Sequence, residues 1–297
     1  MNIEEIEKLI GNTPIKRLGE SNIYVKLESY NPAGSIKDRA SLYMIKGAIE
    51  RGLLALGGTV IEPTSGNTGI GVAYIAQKLG YKSIIVMPEG VTRERIDLIK
   101  SYGGEVMLSR GEEGMKGAIA LAEKLKEEIG NAVILGQFEN PDNALAHFKT
   151  TAPEIDRYFK GDVDIIIAGV GTGGTISGLG KFFKKQSKNK IIVGVEPKES
   201  PMITKGYSGS HTIYGIGANF VPPILDRNVI DFFQTVSSEE AIEGVKELND
   251  LYGLKLGVSS GASYFVAKKF SIVYPKKRVL FISPDGADRY ASLNLYD

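Results

Sequence analysis

Along the 297 residues, short unbroken apolar runs alternate with stretches whose apolar positions recur every three or four residues. The runs predict strands over 23–28, 58–63, 82–88, 104–109, 131–136, 163–169, 190–197 and 278–284. Between most of them the 3.6-residue period predicts helices, as in "TRERIDLIKSYG" and "GMKGAIALAEKLKEEIG". Ser237 and Glu240 form a capping box ahead of "AIEGVKELNDLYG", a helix that should stop at Gly253. Strict strand–helix alternation implies parallel sheets in an α/β architecture. The stretch 137–154 follows one strand series and precedes another, which places a domain crossing near it.

Composition narrows the partners. With 36 basic and 35 acidic residues the net charge is +1, so nothing in the charge balance favours nucleic acid or an anionic membrane. The apolar runs are strand-sized, far short of a membrane span. There are no cysteines, which removes disulfides, thiolate metal sites and cysteine nucleophiles together. His147 and His211 are too few and too far apart to suggest a metal site, so none is expected. The acidic start "MNIEEIEKLIGNTP" carries no secretory pattern, and a cytoplasmic protein acting on a small molecule is expected.

Three local features carry chemistry. In "IIIAGVGTGGTISGLGKFF" an apolar strand runs into Gly169, Gly171, Gly173 and Gly174 before a helix begins. Glycines let backbone amides crowd an anion, and the helix start adds its dipole, so this loop should hold a phosphate. The same residues also satisfy G-x-G-x-x-G, with Glu196 closing the next strand at the place of a ribose-binding acid. A dinucleotide site is therefore a rival reading. In "IEPTSGNTGIGVAYIAQKLG", Thr64, Ser65, Asn67 and Thr68 crowd a second strand-to-helix turn that suits a carboxylate or phosphate. Simple capping needs only one such residue. The third feature is Lys37 in "NPAGSIKDRAS", at a strand-to-helix junction. A dinucleotide protein has no evident use for the second loop or this lysine. An enzyme that takes an amino acid by its carboxylate, and a phosphate-bearing aldehyde by a Schiff base, uses all three.

With these pieces in place the sequence closely resembles the cysteine synthase (O-acetylserine sulfhydrylase) and cystathionine β-synthase family. The shared motifs run through nearly the whole chain, from "IGNTPIKRL" through "MPEGVTRERIDLIKSYGGEVML", "QFENPDN", "TTAPEI", "GIGANFVPPILD" and "GVSSGAS" to "PDGADRY". The resemblance implies a two-domain, fold type II (tryptophan synthase β-like) enzyme, each domain a mostly parallel sheet flanked by helices, with pyridoxal 5'-phosphate in the cleft between domains. It implies a smaller, mobile domain at 35–146 carrying the carboxylate loop, and a larger one from 1–34 and 147–297 carrying the phosphate loop. Lys37 would bind the cofactor and later take the Cα proton. Thr64, Ser65, Gly66, Asn67 and Thr68 would bind the substrate carboxylate with help from Gln137, Asn67 also touching the cofactor ring. Gly171, Thr172, Gly173, Gly174 and Thr175 would cradle the phosphate, and Gly217 would line the substrate mouth.

The implied reaction is β-replacement through an aminoacrylate, with an amino acid and a sulfide or thiol as reactants. Cysteine synthesis from O-acetylserine and sulfide stands first, and chemistry that consumes cysteine or serine, releasing hydrogen sulfide or forming a thioether, stands second. A homodimer and a docked serine acetyltransferase are further family expectations. Three positions depart from the synthase pattern. Asn219 stands where synthases have glycine and cystathionine β-synthases have aspartate, Tyr214 replaces a glutamine, and Gly286 replaces the serine that contacts the ring nitrogen. Asp38 and Arg39 are expected to cap and brace the helix behind Lys37, and His147 to be structural.

Overall fold

The computed structural model describes residues 1–293 and 295–296. Ten strands are present, in chain order β1 (Ile15–Arg17), β2 (Ile23–Leu27), β3 (Thr59–Pro63), β4 (Lys82–Pro88), β5 (Glu105–Ser109), β6 (Ala132–Ile134), β7 (Ile165–Gly169), β8 (Ile191–Pro197), β9 (Phe232–Val236) and β10 (Val279–Ser283). They form two sheets. One runs β5-β4-β3-β6 and is wholly parallel. The other runs β1-β2-β10-β7-β8-β9 and is parallel except for β1 against β2. The expected mostly parallel α/β layers are there.

The chain divides into two compact units. The first comprises Met1–Gly11, Asn31–Ala33 and Lys37–Asn143; the second comprises Asn12–Tyr30, Gly34–Ile36 and Ala144–Asp297. In the first, Val60 of β3 and Ile85 and Met87 of β4 face a core shared with the helices Lys37–Glu50 and Asn67–Leu79. Ile61, Ile84 and Val86 face the opposite side, against Ala118 and Ala122 of the helix Gly114–Ile129. Period-two alternation therefore buries both faces, which explains why these strands read as unbroken apolar runs. The second unit repeats the device: Ile165 and Ile167 enter one core and Ile166 and Ala168 another. Met1–Gly11 belongs to the first unit because Ile6 and Ile10 are buried in its core.

Two strands, β1 and β9, were not expected. Both are edges of the six-stranded sheet, and each presents mostly exposed or half-buried positions. The helix ends follow the sequence closely. Ser237 Oγ accepts the Glu240 N–H at 3.2 Å and Glu240 Oε2 accepts the Ser237 N–H at 2.8 Å. The helix Ser238–Tyr252 closes at Gly253, in the left-handed region with φ 65°. Ser237→Ala removes one half of this box and should cost about 1 kcal/mol of unfolding free energy, read from the denaturant midpoint at unchanged slope.

Candidate active site

Lys37 is the first residue of its helix and is half-buried. Behind it Asp38 and Arg39 are fully buried, and Asp38 Oδ2 accepts the Ala33 N–H at 2.6 Å, closing the turn that presents the lysine. The helix Asn67–Leu79 crosses close by. A Cβ on its Gly71 would lie 3.2 Å from the Lys37 carbonyl oxygen and 2.8 Å from Ser41 Oγ, so only glycine lets the two backbones approach this far. The Thr64–Thr68 loop, which opens that same helix, is thereby fixed to the helix that begins with Lys37.

Within the loop the four polar side chains divide their work. The residue before the helix is Gly66, which makes no side-chain cap. Simple capping therefore does not explain them. Thr64 Oγ1 accepts the Gly66 N–H at 3.2 Å, and Thr68 Oγ1 donates to Gln137 Oε1 at 2.6 Å. Ser65, Gly66 and Asn67 stay half-exposed beside the first turn of a 13-residue helix, whose leading N–H groups have no partner within the helix. A helix start of this kind is suited to an anion, and Gln137 stands against Thr68 beside it.

Two residues that sequence reasoning passed over hold this loop. Arg95, on the helix Arg93–Ser101, donates from Nη1 to the Ser65 carbonyl at 2.7 Å. Glu62, 1% exposed on β3, accepts the Gly136 N–H at 2.9 Å and the Gln137 N–H at 3.2 Å, one on each oxygen. Burial outweighs these two donors and pushes the Glu62 carboxyl up to about 7. No sequence spacing points to either, since their partners lie 30, 74 and 75 residues away.

The second unit holds the glycine loop. β7 ends at Gly169, and the helix Gly174–Gln186 is entered through Gly173 at φ 85°. A Cβ on Gly171 would sit 2.3 Å from the Gly215 carbonyl, so the loop lies against the segment 214–219. The Gly217 N–H, donated to the Val170 carbonyl at 3.0 Å, fixes the same contact. Thr172 is buried, and Thr175 Oγ1 meets His147 Nε2 at 3.3 Å while His147 Nδ1 meets Thr151 Oγ1 at 2.9 Å. Asn219 is exposed and makes no hydrogen bond among the described residues. Tyr214 stacks on Tyr290 with centroids 6.0 Å apart. Ser283 is buried against Ser260 Oγ at 2.9 Å, so its hydroxyl does not stand in for the serine missing at Gly286.

Glu196 corrects the dinucleotide reading. It is buried, with Oε2 accepting the Ile203 N–H at 2.9 Å and Oε1 accepting both the Thr204 N–H at 3.1 Å and its hydroxyl at 2.5 Å. The acid is spent on holding the next turn of chain and is not turned to a ribose. What remains is a cradle for a phosphate: glycine backbone at a helix start, flanked by two threonines. It fits the phosphate of pyridoxal 5'-phosphate, as Lys37 fits its aldehyde.

A family model described as pyridoxal-phosphate dependent enzyme matches residues 6–285, and the chain belongs to that family. It is a pyridoxal 5'-phosphate-dependent enzyme of fold type II. Among its relatives, cysteine synthase B from Campylobacter jejuni is 46% identical over 295 residues, 99% of this chain and 98% of that one. The solved O-acetylserine sulfhydrylase isoform 3 from Entamoeba histolytica matches with a TM-score of 0.93 at 38% identity, over 98% of this chain and 90% of the other. A hydrogen sulfide-producing enzyme from Fusobacterium nucleatum matches with a TM-score of 0.92 at 38% identity, over 96% and 97% of the two chains.

The raised Glu62 carboxyl has a stability consequence. Between pH 4.5 and about 7 the folded protein keeps a proton that the unfolded chain has released, so stability falls as the pH rises through that window and is level above it. The fall should reach about 3 kcal/mol at most. Denaturant midpoints at both ends of the window should show a slope that Glu62→Gln lacks. For the glycine loop, Gly171→Ala forces the loop from Gly215 and should cost about 1–3 kcal/mol of stability together with a weaker cofactor dissociation constant.

Proposed function

We propose that this protein catalyses β-replacement on a serine-type amino acid, making cysteine from O-acetylserine and sulfide. The observation that carries the reading is the half-exposed anion site at Thr64–Thr68, closed by Gln137 and fixed to the helix that Lys37 begins. In it Thr64, Ser65, Gly66, Asn67, Thr68 and Gln137 take the substrate carboxylate. Gly171, Thr172, Gly173, Gly174 and Thr175 take the cofactor phosphate, and Asn67 reaches the cofactor ring. Bound pyridoxal phosphate supplies an electron sink for the pair left when the Cα–H bond breaks. Lys37 would hold the cofactor through its amine and, once the amino acid is bound, would take the Cα proton as general base. Acetate leaves from Cβ, sulfide adds there, and Lys37 returns a proton to Cα. The loop, ordered around the carboxylate, keeps water from the reacting carbon.

A second reading starts from cysteine or serine, releases hydrogen sulfide or water, and adds a thiol amino acid to give a thioether. Two observations favour it: the exposed amide of Asn219 on the segment packed against the glycine loop, and the similarity to a hydrogen sulfide-producing enzyme. An amide there can hydrogen-bond an amino-acid co-substrate, which sulfide does not need. The proposal keeps 35–146 as the domain of the carboxylate loop and extends to a cytoplasmic homodimer, with serine acetyltransferase as a partner. Among the described residues no helix is long and apolar enough to cross a membrane.

Visible absorbance of the protein loaded with pyridoxal phosphate, titrated separately with O-acetylserine, cysteine and serine, tests the choice. A shift with O-acetylserine, with sulfide consumed on addition, is the expected result. A shift with cysteine accompanied by sulfide release moves the assignment to the second reading. A Lys37→Ala protein should lose the visible band and at least a thousandfold in turnover, on the order of what removing a covalent and general-base group costs.

A further inference from the structure

The carboxylate loop has two sides, and only one of them, Thr64–Thr68, is held by regular secondary structure. The other side begins where β6 ends. Ile61 pairs with Ile134, and the Leu135 N–H still reaches the Ile61 carbonyl at 3.2 Å. Beyond that the ladder stops, because Gly136 turns at φ 66°. The next two N–H groups, of Gly136 and Gln137, go to the side chain of Glu62. Gln137 is further tied by the amide of Asn143, which donates to its carbonyl at 2.8 Å. The outcome is a Gln137 side chain whose oxygen is engaged by Thr68, leaving its amide N–H groups as donors beside the loop.

Glu62 is buried, and no cation neutralises it. The groups that face it are the two backbone N–H donors, and no charged side chain contributes to its shift. A neutral residue would satisfy the fold at lower cost, since burying a carboxylate charge is expensive even when it is hydrogen-bonded. Only the ionised form offers an acceptor to each N–H while placing no proton of its own against them. The cost is carried at a position whose hydrogen-bonding partners, among the described residues, are the backbone N–H groups of Gln137 and its neighbour Gly136.

We propose that Glu62 is a positioning residue for amino-acid binding, holding the backbone of Gly136 and Gln137 so that Gln137 closes the carboxylate site against Thr68. This rests on the reading that the Thr64–Thr68 loop takes the substrate carboxylate. It assigns Glu62 to binding of the amino acid and not to binding of the cofactor.

The test uses the cofactor-loaded wild-type protein and its Glu62→Gln variant, titrated with O-acetylserine and with cysteine from pH 6 to 9, following visible absorbance. In the variant one N–H keeps the amide oxygen and the other faces an NH₂. The expected result is a Kd for the amino acid weaker by about tenfold, the equivalent of roughly 1.4 kcal/mol. Cofactor affinity and kcat should stay within about threefold of wild type, corresponding to under about 1 kcal/mol. The wild-type log Kd should also steepen as the pH falls below about 7, and the variant's should not. An unchanged Kd with an unchanged pH profile overturns the proposal, as does a weaker Kd matched by an equal loss of cofactor affinity, the mark of a merely structural role. If the Gln variant does not fold, Glu62→Asp decides, because it keeps the charge but shortens the reach to Gly136 and Gln137: a weaker amino-acid Kd at unchanged cofactor affinity supports the proposal, and an unchanged Kd overturns it. A loaded wild-type protein that binds neither amino acid overturns the reading of the loop and this assignment with it, whereas a wild-type response left intact in the variant overturns this assignment alone.

Discussion

A strand buried on both faces that turns directly into a helix leaves the first N–H groups of that helix without partners in the helix. This constraint organises the chemistry of the chain. It operates at the end of β3, where the turn is built from Thr64–Thr68, and again at the end of β7, where it is built from glycines. The two turns differ in what surrounds the exposed N–H groups. Hydroxyls and an amide crowd the first and suit a planar carboxylate. Glycine backbone, with a threonine at each side, frames the second and suits a tetrahedral phosphate. A parallel sheet with covered faces is thus the source of both anion sites.

The ends of β3 and β8 solve a second problem in the same way. Each closes on Glu-Pro, Glu62-Pro63 and Glu196-Pro197, and each buried carboxylate accepts two backbone N–H groups from a segment outside the sheet, the turn at 136–137 for Glu62 and the short helix Met202–Lys205 for Glu196. Proline ends the strand, and the acid carries the hydrogen bonding onward to a neighbouring segment. At Glu196 this fixes the short turn at 203–204. At Glu62 it fixes Gln137, which stands against Thr68 of the proposed carboxylate loop. The same local chemistry gives scaffold in one unit and positioning in the other, which is why a motif containing an acid does not by itself reveal a ligand.

Much of this was legible in the sequence. Eight strands announce themselves as runs of apolar residues, most plainly β3, β4, β7 and β10, whose residues face two cores, and Ser237 with Glu240 announces a helix start through its spacing alone. β1 and β9 were not legible: β1 is three residues long with two of them exposed, and β9 carries polar Gln234 and Thr235 in a run that is buried only at Val236. Lys37 and both loops stood out as candidates by residue type and place. Glu62 and Arg95 did not, because their partners are backbone atoms distant in sequence, Gln137 and Ser65, and no spacing rule connects them. Glu196 left a rival dinucleotide reading open for the same reason: its partners at 203 and 204 are invisible to a fingerprint that looks only at the strand before it.

The central claim is that Lys37 carries the cofactor. Reducing the pyridoxal phosphate-loaded protein with borohydride, digesting it and locating the modified peptide by mass spectrometry tests this most directly. The account predicts a single pyridoxyl group on Lys37, in the peptide that contains "NPAGSIK". Stoichiometric label on any other lysine, or no stable label at all, would contradict it.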